Sequence, residues 1–309
     1  MVITVTINPA MDIVMQLDDF RLNVTNRIKN KFKCVGGKGT HVSINLSLLG
    51  IRNTATGVVM GTTGEEILER LSEHDIDVKF IKLDKGDSRT NYVLADSNGN
   101  CTLVSEKGQL LEKEVVDRFI AYYSDLVGTG DMVVISGDAS NQKGTGLQEK
   151  LIDIANARGA RFCFDASGVY LEEGIRKKPF LVKPNLDELG ALCGRELTAE
   201  TDIIEAMKLV QEKGAQNIVA SCGGDGSYAM IGGRLYRVRS PEVEVKNSVG
   251  CGDALLSGII AGFEMKLPAP EILRKATAVA AAAAMEESTV GFDPLIAAEL
   301  EARVTVEEL

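Results

Sequence analysis

The chain has 309 residues, with 34 Lys plus Arg against 44 Asp plus Glu and a formal charge of −10; 45% of it is hydrophobic and 25% charged. That composition rules out a collagen-like or disordered chain, and the length allows one large α/β unit or two small ones. The acidic balance argues against a nucleic-acid binder, which needs a basic face for phosphates, but leaves room for a local basic pocket.

Residues 2–7 form a β-rich run. Residues 13–34 alternate polar and apolar positions around Asn23 and Asn26. Residues 42–49 have helical spacing and stop at Gly50. A strand over 55–59 leads through a glycine turn to a helix over 65–72. Residues 90–103 alternate around Asp96-Ser97-Asn98-Gly99-Asn100, a hairpin signal. The short apolar run 132–135 fits a strand buried on both faces. A helix follows over 147–157, then a strand over 161–165 that ends in a carboxylate. The strand over 180–183 precedes Pro184, the helix over 203–212 leads to the strand 217–221, and 227–231 follows. Two very apolar stretches, 254–263 and 276–285, are too short to span a bilayer and read as buried helices. The last residues, EARVTVEEL, predict a short surface helix or strand. Alternating strands and helices predict a mostly parallel sheet covered on both faces. The segments 13–34 and 90–103 break that rhythm and are expected to form a small second sheet projecting from the first.

Six cysteines, none in a CxxC pair, and no basic-then-apolar leader predict reduced thiols in a cytosolic protein. His41 and His74, the only histidines, do not stand at zinc-ligand spacing with a cysteine pair.

In an open parallel sheet, ligands bind beyond the carboxyl ends of the strands. Four polar loops fall there. Gly36-Gly37-Lys38-Gly39 opens a helix and is either an anion-binding turn or a flexible connection. Asn185 and Glu188, in Lys183-Pro184-Asn185-Leu186-Asp187-Glu188, share a helix face. They could hold hydrated magnesium or form a capping box. Ser221-Cys222-Gly223-Gly224-Asp225-Gly226 is a nucleotide-binding turn or a plain hairpin turn. Asn247-Ser248-Val249-Gly250-Cys251-Gly252-Asp253 runs into an apolar helix. Its N–H groups could form an anion hole, with Asp253 placed for general-base work on a hydroxyl, or it is a helix start with an acidic residue. Gly258 and Gly262 add a close-packing face to that helix. No GxxxxGK[ST], GxGxxG after the first strand, or GxSxG occurs, which argues against P-loop, dinucleotide-binding and serine-hydrolase chemistry.

Together the loops resemble the PfkB (ribokinase-like) carbohydrate kinases, over nearly the whole chain. The strongest pieces are GGKGTHVSINLSLLG at 36–50 and NSVGCGDALLSG at 247–258, with VKPNLDELG at 182–190 between them. TINPAMDIV at the start, Ser88-Arg89-Thr90-Asn91, Ser105-Glu106-Lys107-Gly108 and Phe164-Asp165-Ala166-Ser167-Gly168 look like the hexose-phosphate branch, the 1-phosphofructokinases and tagatose-6-phosphate kinases.

The resemblance implies one ribokinase-like α/β kinase unit over 1–309, with a β lid from about 10–35 and 88–105. It implies Asp253 as the base that takes the acceptor proton, and the N–H groups of Gly250, Cys251 and Gly252 around the transferring phosphoryl group. Asn185 and Glu188 would organise magnesium through water. Lys183, Asn185, Ser221, Gly223, Gly224 and Gly226 would line the nucleotide site. Asp12 would hold sugar hydroxyls, and Gly37, Lys38 and Arg89 would meet the acceptor and its phosphate. His41 stands where the family usually has Asn and is expected to donate to a sugar hydroxyl or phosphate. Asp138 and Lys143, in an altered acceptor-side loop, are expected to bear on acceptor choice. ATP and Mg²⁺, with a monovalent cation as a third option, and a homodimer through the lid complete the implied picture, without nucleic acid or membrane. The implied reaction is phosphorylation of a ketohexose monophosphate to the bisphosphate, fructose 1-phosphate first and tagatose 6-phosphate second. An unphosphorylated sugar or nucleoside as acceptor, and a non-catalytic sugar-phosphate or nucleotide sensor, are the competing readings.

Overall fold

A computed structural model describes residues 1–137, 140–142 and 144–309. In chain order it forms β1 (Val2–Thr6), β2 (Ala10–Leu17), β3 (Asn30–Gly36), α1 (Lys38–Leu48), β4 (Asn53–Met60), α2 (Gly61–Leu71), β5 (Ile76–Leu83), β6 (Arg89–Asp96) and β7 (Cys101–Ser105). Then come α3 (Lys113–Leu126), β8 (Met132–Ser136), α4 (Leu147–Ala157), β9 (Arg161–Asp165), α5 (Gly168–Arg176), β10 (Leu181–Val182), α6 (Leu186–Cys193), α7 (Glu200–Glu212) and β11 (Asn217–Ser221). The chain closes with β12 (Ser227–Ile231), β13 (Arg234–Arg239), α8 (Cys251–Glu264), α9 (Ala269–Ala284), α10 (Pro294–Glu301) and β14 (Thr305–Glu308).

The large sheet has the order β14-β13-β12-β11-β10-β9-β8-β1-β4-β5. From β11 to β5 every pairing is parallel, and β12, β13 and β14 extend it antiparallel. The expected mostly parallel sheet is therefore present. Its inner strands are apolar on both faces: Ile3 and Val5 of β1 point into one core and Val2 into the other, and Val133 and Ile135 of β8 oppose Met132 and Val134. Side chains from α3 to α7 fill the first core, and those from α1, α8, α9 and α10 fill the second. Strand order reverses at β1, which has β4 on one side and β8 on the other. A doubly wound sheet opens its binding crevice at such a reversal, beyond the carboxyl ends of the strands.

The second sheet, order β3-β2-β6-β7, is the projecting sheet expected from the broken rhythm. Its strands fall inside the expected 10–35 and 88–105 segments to within a residue. The turn after β6 is fixed by Asp96, whose Oδ1 accepts from the N–H groups of Asn98 and Asn100, both at 2.9 Å. Such Asx turns are why Asp and Asn punctuate hairpins.

Several boundaries differ from the sequence expectation. Helix α1 starts at Lys38, so the GGKG loop itself supplies the first helical turn. Helix α2 starts four residues early, because Asp87 accepts from the Thr63 N–H at 2.8 Å and from its hydroxyl at 2.9 Å. A carboxylate from a distant segment thus meets the helix N-terminus. Strand β10 has only two residues; Pro184, just beyond it, has no N–H to continue the ladder. The tail is a strand, β14, on the edge of β13. All six cysteines are free thiols, and among the described residues no helix is long and apolar enough to cross a membrane.

Two buried contacts fix the helices that start at the crevice. Thr4 Oγ1, Ser43 Oγ and Asn53 Oδ1 form a chain of 2.6 Å hydrogen bonds tying β1, α1 and β4 together. Helix α8 lies on α9 with no room between them: a side chain at Gly258 would strike the Ala276 backbone, and one at Gly262 would press on Ile272. Overpacking of this kind costs about 1–3 kcal/mol. Gly258→Val is therefore expected to lower the thermal unfolding midpoint by several degrees, measured by calorimetry, and Lys208→Ala on the exposed face of α7 is not.

Candidate active site

The carboxyl ends of β9, β10 and β11 lie side by side and present Asp165, Lys183 and Ser221. Facing them are the N-termini of α1 and α8. Helix α8 begins after Gly250, whose φ of +86° is a left-handed conformation and whose missing side chain leaves space for the carbonyl of Thr289. Only glycine serves there without strain. The turn before it is set by Asn247, fully buried, which accepts from Val249 N–H at 2.9 Å and donates to Glu287 O at 3.1 Å. Among the described residues the N–H groups of Gly250 and Gly252 have no protein partner, while that of Cys251 makes a long 3.5 Å contact with Ser248 O. Open N–H groups at a helix start favour an anion.

Two clefts meet at this point. A polar one of about 370 Å³ is lined by Asp12, Gly37, Lys38, His41, Arg89, Asn91, Asp165, Lys183 and Asp253. A larger one of about 660 Å³ is floored by Gly223, Gly224 and Gly226 and walled by Pro241, Val243, Leu255, Ala280 and Ala284. Asn185, Ser221 and Gly252 line both. The structure thus brings together at one crevice the candidates Asp253, Gly250, Cys251, Gly252, Asp12, Gly37, Lys38, His41, Arg89, Lys183, Asn185, Glu188, Ser221, Gly223, Gly224 and Gly226. Asp138 and Lys143 lie outside the described residues.

The buried charges are paired. Asp165 accepts from Lys38 Nζ at 3.0 Å through Oδ1, and Lys183 Nζ lies 3.5 Å from its Oδ2. Burial would push the Asp165 carboxyl up, but the Lys183 and Lys38 charges outweigh it and hold it below its usual range. The charge of Asp165 is in turn the main cause that raises the Lys38 ammonium above its ordinary value, against the opposing effect of burial. Asp12 accepts from Asn91 Nδ2 and from Thr289 Oγ1, both at 2.8 Å. Arg89 donates to Asn8 O at 3.0 Å, to Ser105 Oγ at 3.0 Å and to Glu106 O at 3.2 Å, which sets its guanidinium against the polar cleft. Burial and the nearby Asp253 charge push the Cys251 thiol up to about 12, so it stays a thiol at the mouth of the anion site.

Two loops take the local forms expected of them, a capping box and a hairpin turn, and both also line a cleft. Asn185 and Glu188 form the capping box, with Asn185 Oδ1 accepting from Glu188 N at 2.7 Å and Glu188 Oε2 accepting from Asn185 N at 2.9 Å. The same pair faces the polar cleft. The Gly223–Asp225 turn joins antiparallel β11 and β12 as a hairpin turn and also floors the larger cleft. His41 differs from expectation in its partners: both ring nitrogens are held by the protein, Nδ1 by Asp253 Oδ2 at 2.8 Å and Nε2 by Val35 O at 3.0 Å.

Sequence reasoning gave no role to Asp165 and Asn91. Both left a signal. Asp165 is the carboxylate that ends a buried strand, and Asn91 stands two residues from Arg89 on β6, hence on the same face.

Comparison with known proteins agrees with this arrangement. Residues 5–294 match the family described as pfkB family carbohydrate kinase. The chain is 32% identical over 287 residues to a 1-phosphofructokinase of Bacillus subtilis, covering 93% of each. It superposes on a Thermotoga maritima structure named as a possible 1-phosphofructokinase with a TM-score of 0.88 and 28% identity, over 100% of this chain and 99% of that one. Phosphofructokinase-2 of Escherichia coli in complex with potassium gives 0.89 at 24% identity, over 98% of each, a likeness of fold. The chain belongs to the pfkB family and is an ATP-dependent carbohydrate kinase.

Removing the carboxylate that gathers two lysines should be costly, because Lys183 would keep its charge in a buried site; breaking such a pairing costs about 3–5 kcal/mol. Asp165→Asn is expected to reduce the urea midpoint of unfolding clearly, whereas Asp225→Asn, on the exposed turn, leaves it in place.

Proposed function

We propose that this carbohydrate kinase is a 1-phosphofructokinase, transferring the γ-phosphoryl group of ATP to fructose 1-phosphate. The observation that carries the reading is the meeting of two unlike clefts at the start of α8, with Asp253 on the polar side of the junction. The larger cleft has apolar walls for a flat base and a glycine floor for phosphates. The smaller one has carboxylate and amide groups for sugar hydroxyls, Asp12 and Asn91, and cations for a phosphate, Lys38 and Arg89. The family membership and the Bacillus subtilis relative support the same acceptor class.

The chemistry follows from the side chains. Oδ1 of Asp253 has no protein partner among the described residues and faces the polar cleft. It takes the proton as the acceptor O–H bond breaks. The acceptor oxygen then bonds to the γ-phosphorus, and the bond to the bridging oxygen breaks, leaving its electron pair on ADP. The N–H groups of Gly250 and Gly252 at the helix N-terminus stabilise charge on the equatorial oxygens, and Lys183 stands beside Gly252. Such transfer needs alignment and charge stabilisation more than covalent help from the protein. Asn185 and Glu188 suit a magnesium ion held largely by water and phosphate; Glu188 spends one oxygen on the Asn185 N–H and keeps the other. When bound, that ion neutralises phosphate charge.

The lid excludes water over the polar cleft, which limits futile ATP hydrolysis. Its inner face carries Asp12 and Asn91, neighbours across β2 and β6. Its outer face carries an apolar stripe: Ile13 beside Tyr92, Met15 beside Leu94, and Val104 beside Tyr92. A second copy of the chain covers this stripe, giving a homodimer through the lid.

Three outcomes test these statements. Asp253→Asn should lower kcat by about a thousandfold or more while ATP binding, followed by calorimetry, changes only a few-fold. The unaltered enzyme should turn over fructose 1-phosphate faster than tagatose 6-phosphate, fructose 6-phosphate, fructose or ribose. Turnover confined to unphosphorylated sugars would overturn the acceptor. Leu94→Lys should shift the chain from dimer to monomer in light scattering; an unchanged mass in both would place the contact elsewhere.

A further inference from the structure

Behind Asp253 stands a nearly buried histidine: His41, on α1, is 4% exposed. Its Nε2 is 3.0 Å from the carbonyl oxygen of Val35. A carbonyl only accepts, so Nε2 carries a hydrogen. Its Nδ1 is 2.8 Å from Asp253 Oδ2. An ionised carboxylate also only accepts, so a second hydrogen must lie between Nδ1 and Oδ2. A neutral imidazole has one N–H in total. The pair therefore contains one proton more than a neutral His41 beside an ionised Asp253 would supply.

The surroundings favour placing that proton on the ring. Asp12 of β2 reaches within 3.7 Å of Nε2, so carboxylates of two elements flank the imidazole. A cation between them relieves their mutual repulsion and their repulsion of an anionic acceptor. Lys38, three residues earlier on α1, is committed to Asp165 and does not fill this role. Burial alone would push the ring's pKa down, but the Asp253 hydrogen bond and charge, followed by the Asp12 charge, outweigh it, and the net direction is upward from 6.5.

We propose that His41 is a positioning residue: as an imidazolium it holds Oδ2 of Asp253, turns Oδ1 towards the acceptor hydroxyl, and makes turnover depend on the proton the pair shares. The proposal rests on the reading of Asp253 as the base. The sign of the pH effect follows. The imidazolium persists below its raised pKa and is lost as pH rises through it. Above that point the Nδ1 lone pair faces the lone pairs of Oδ2, and the carboxylate turns away from its working orientation. His41 thus sets an alkaline limb on kcat.

The test compares kcat against pH for the wild type, His41→Asn and His41→Ala with fructose 1-phosphate and magnesium-ATP. An Asn amide can donate to Oδ2 and does not titrate. His41→Asn is expected to stay within about tenfold of the wild type at neutral pH and to lose the alkaline limb. His41→Ala should fall on the order of a further tenfold in kcat, with the KM for ATP little changed, as removal of an orienting partner does. An alkaline limb in His41→Asn that superimposes on the wild type overturns the proposal. If the wild type does not turn over fructose 1-phosphate, the acceptor reading is what has failed, and the pair is read directly. The chain has two histidines, His41 and His74, so ¹⁵N-histidine labelling gives two sets of ring signals. His41 should show both nitrogens protonated at neutral pH, and in Asp253→Asn it should be neutral there. A His41 that is neutral at pH 7 in the wild type, or that titrates identically in both proteins, overturns the proposal whatever the activity.

Discussion

Three carboxylates, Asp12, Asp165 and Asp253, are almost completely buried at one edge of this sheet, and the placing of their partners governs the rest of the site. A buried carboxylate is costly unless hydrogen-bonded and compensated. Each is compensated from a different part of the chain. Asp165, on β9, takes Lys38 from α1 and Lys183 from the end of β10. Asp12, on the lid, takes Asn91 from the next lid strand and Thr289 from the loop after α9. Asp253, on α8, takes His41. The small sheet, the two helix starts and the central strands are tied to one another through polar groups around the same crevice. These partners all come from within the protein, so the site is assembled before any ligand enters.

The arrangement also reconciles a chain of net charge −10 with an anionic ligand class. The lysines near the junction are held by a single carboxylate, and two helix N-termini add positive potential without adding a charged residue. Most of the 44 acidic residues lie outside the crevice, where screening weakens their effect on it. Composition describes the chain as a whole and could not describe the pocket.

The small sheet shows how period and context divide the work. Strict alternation along β6 puts Arg89, Asn91 and Val93 on one side and Thr90, Tyr92 and Leu94 on the other. This much follows from a side-chain repeat of two. That Arg89 and Asn91 of the first set face the crevice follows from the parallel pairing of β2 with β6, which aligns Asp12 with Asn91. The pairing joins residues 79 apart in sequence, and no local pattern encodes it.

By itself the sequence determined the α/β alternation, the extra small sheet, the glycine loops before two helices and the close-packing glycines of α8. Each of these is a local matter of hydrophobic period, turn chemistry or missing side chains, so each is legible without the fold. The capping box of Asn185 and Glu188 and the hairpin turn at Gly223–Asp225 were legible too, although the sequence could not show that both also face a cleft. Tertiary structure alone decided the early start of α2, where Asp87 comes from beyond the next strand, the short β10, and the role of Asp165 as partner to two lysines. It also decided that His41 meets Asp253, a residue 212 positions away, instead of pointing its ring at a ligand. Proton placement depends on which acceptors surround a nitrogen within about 3 Å, and those neighbours come from strands and helices that only folding brings to one place.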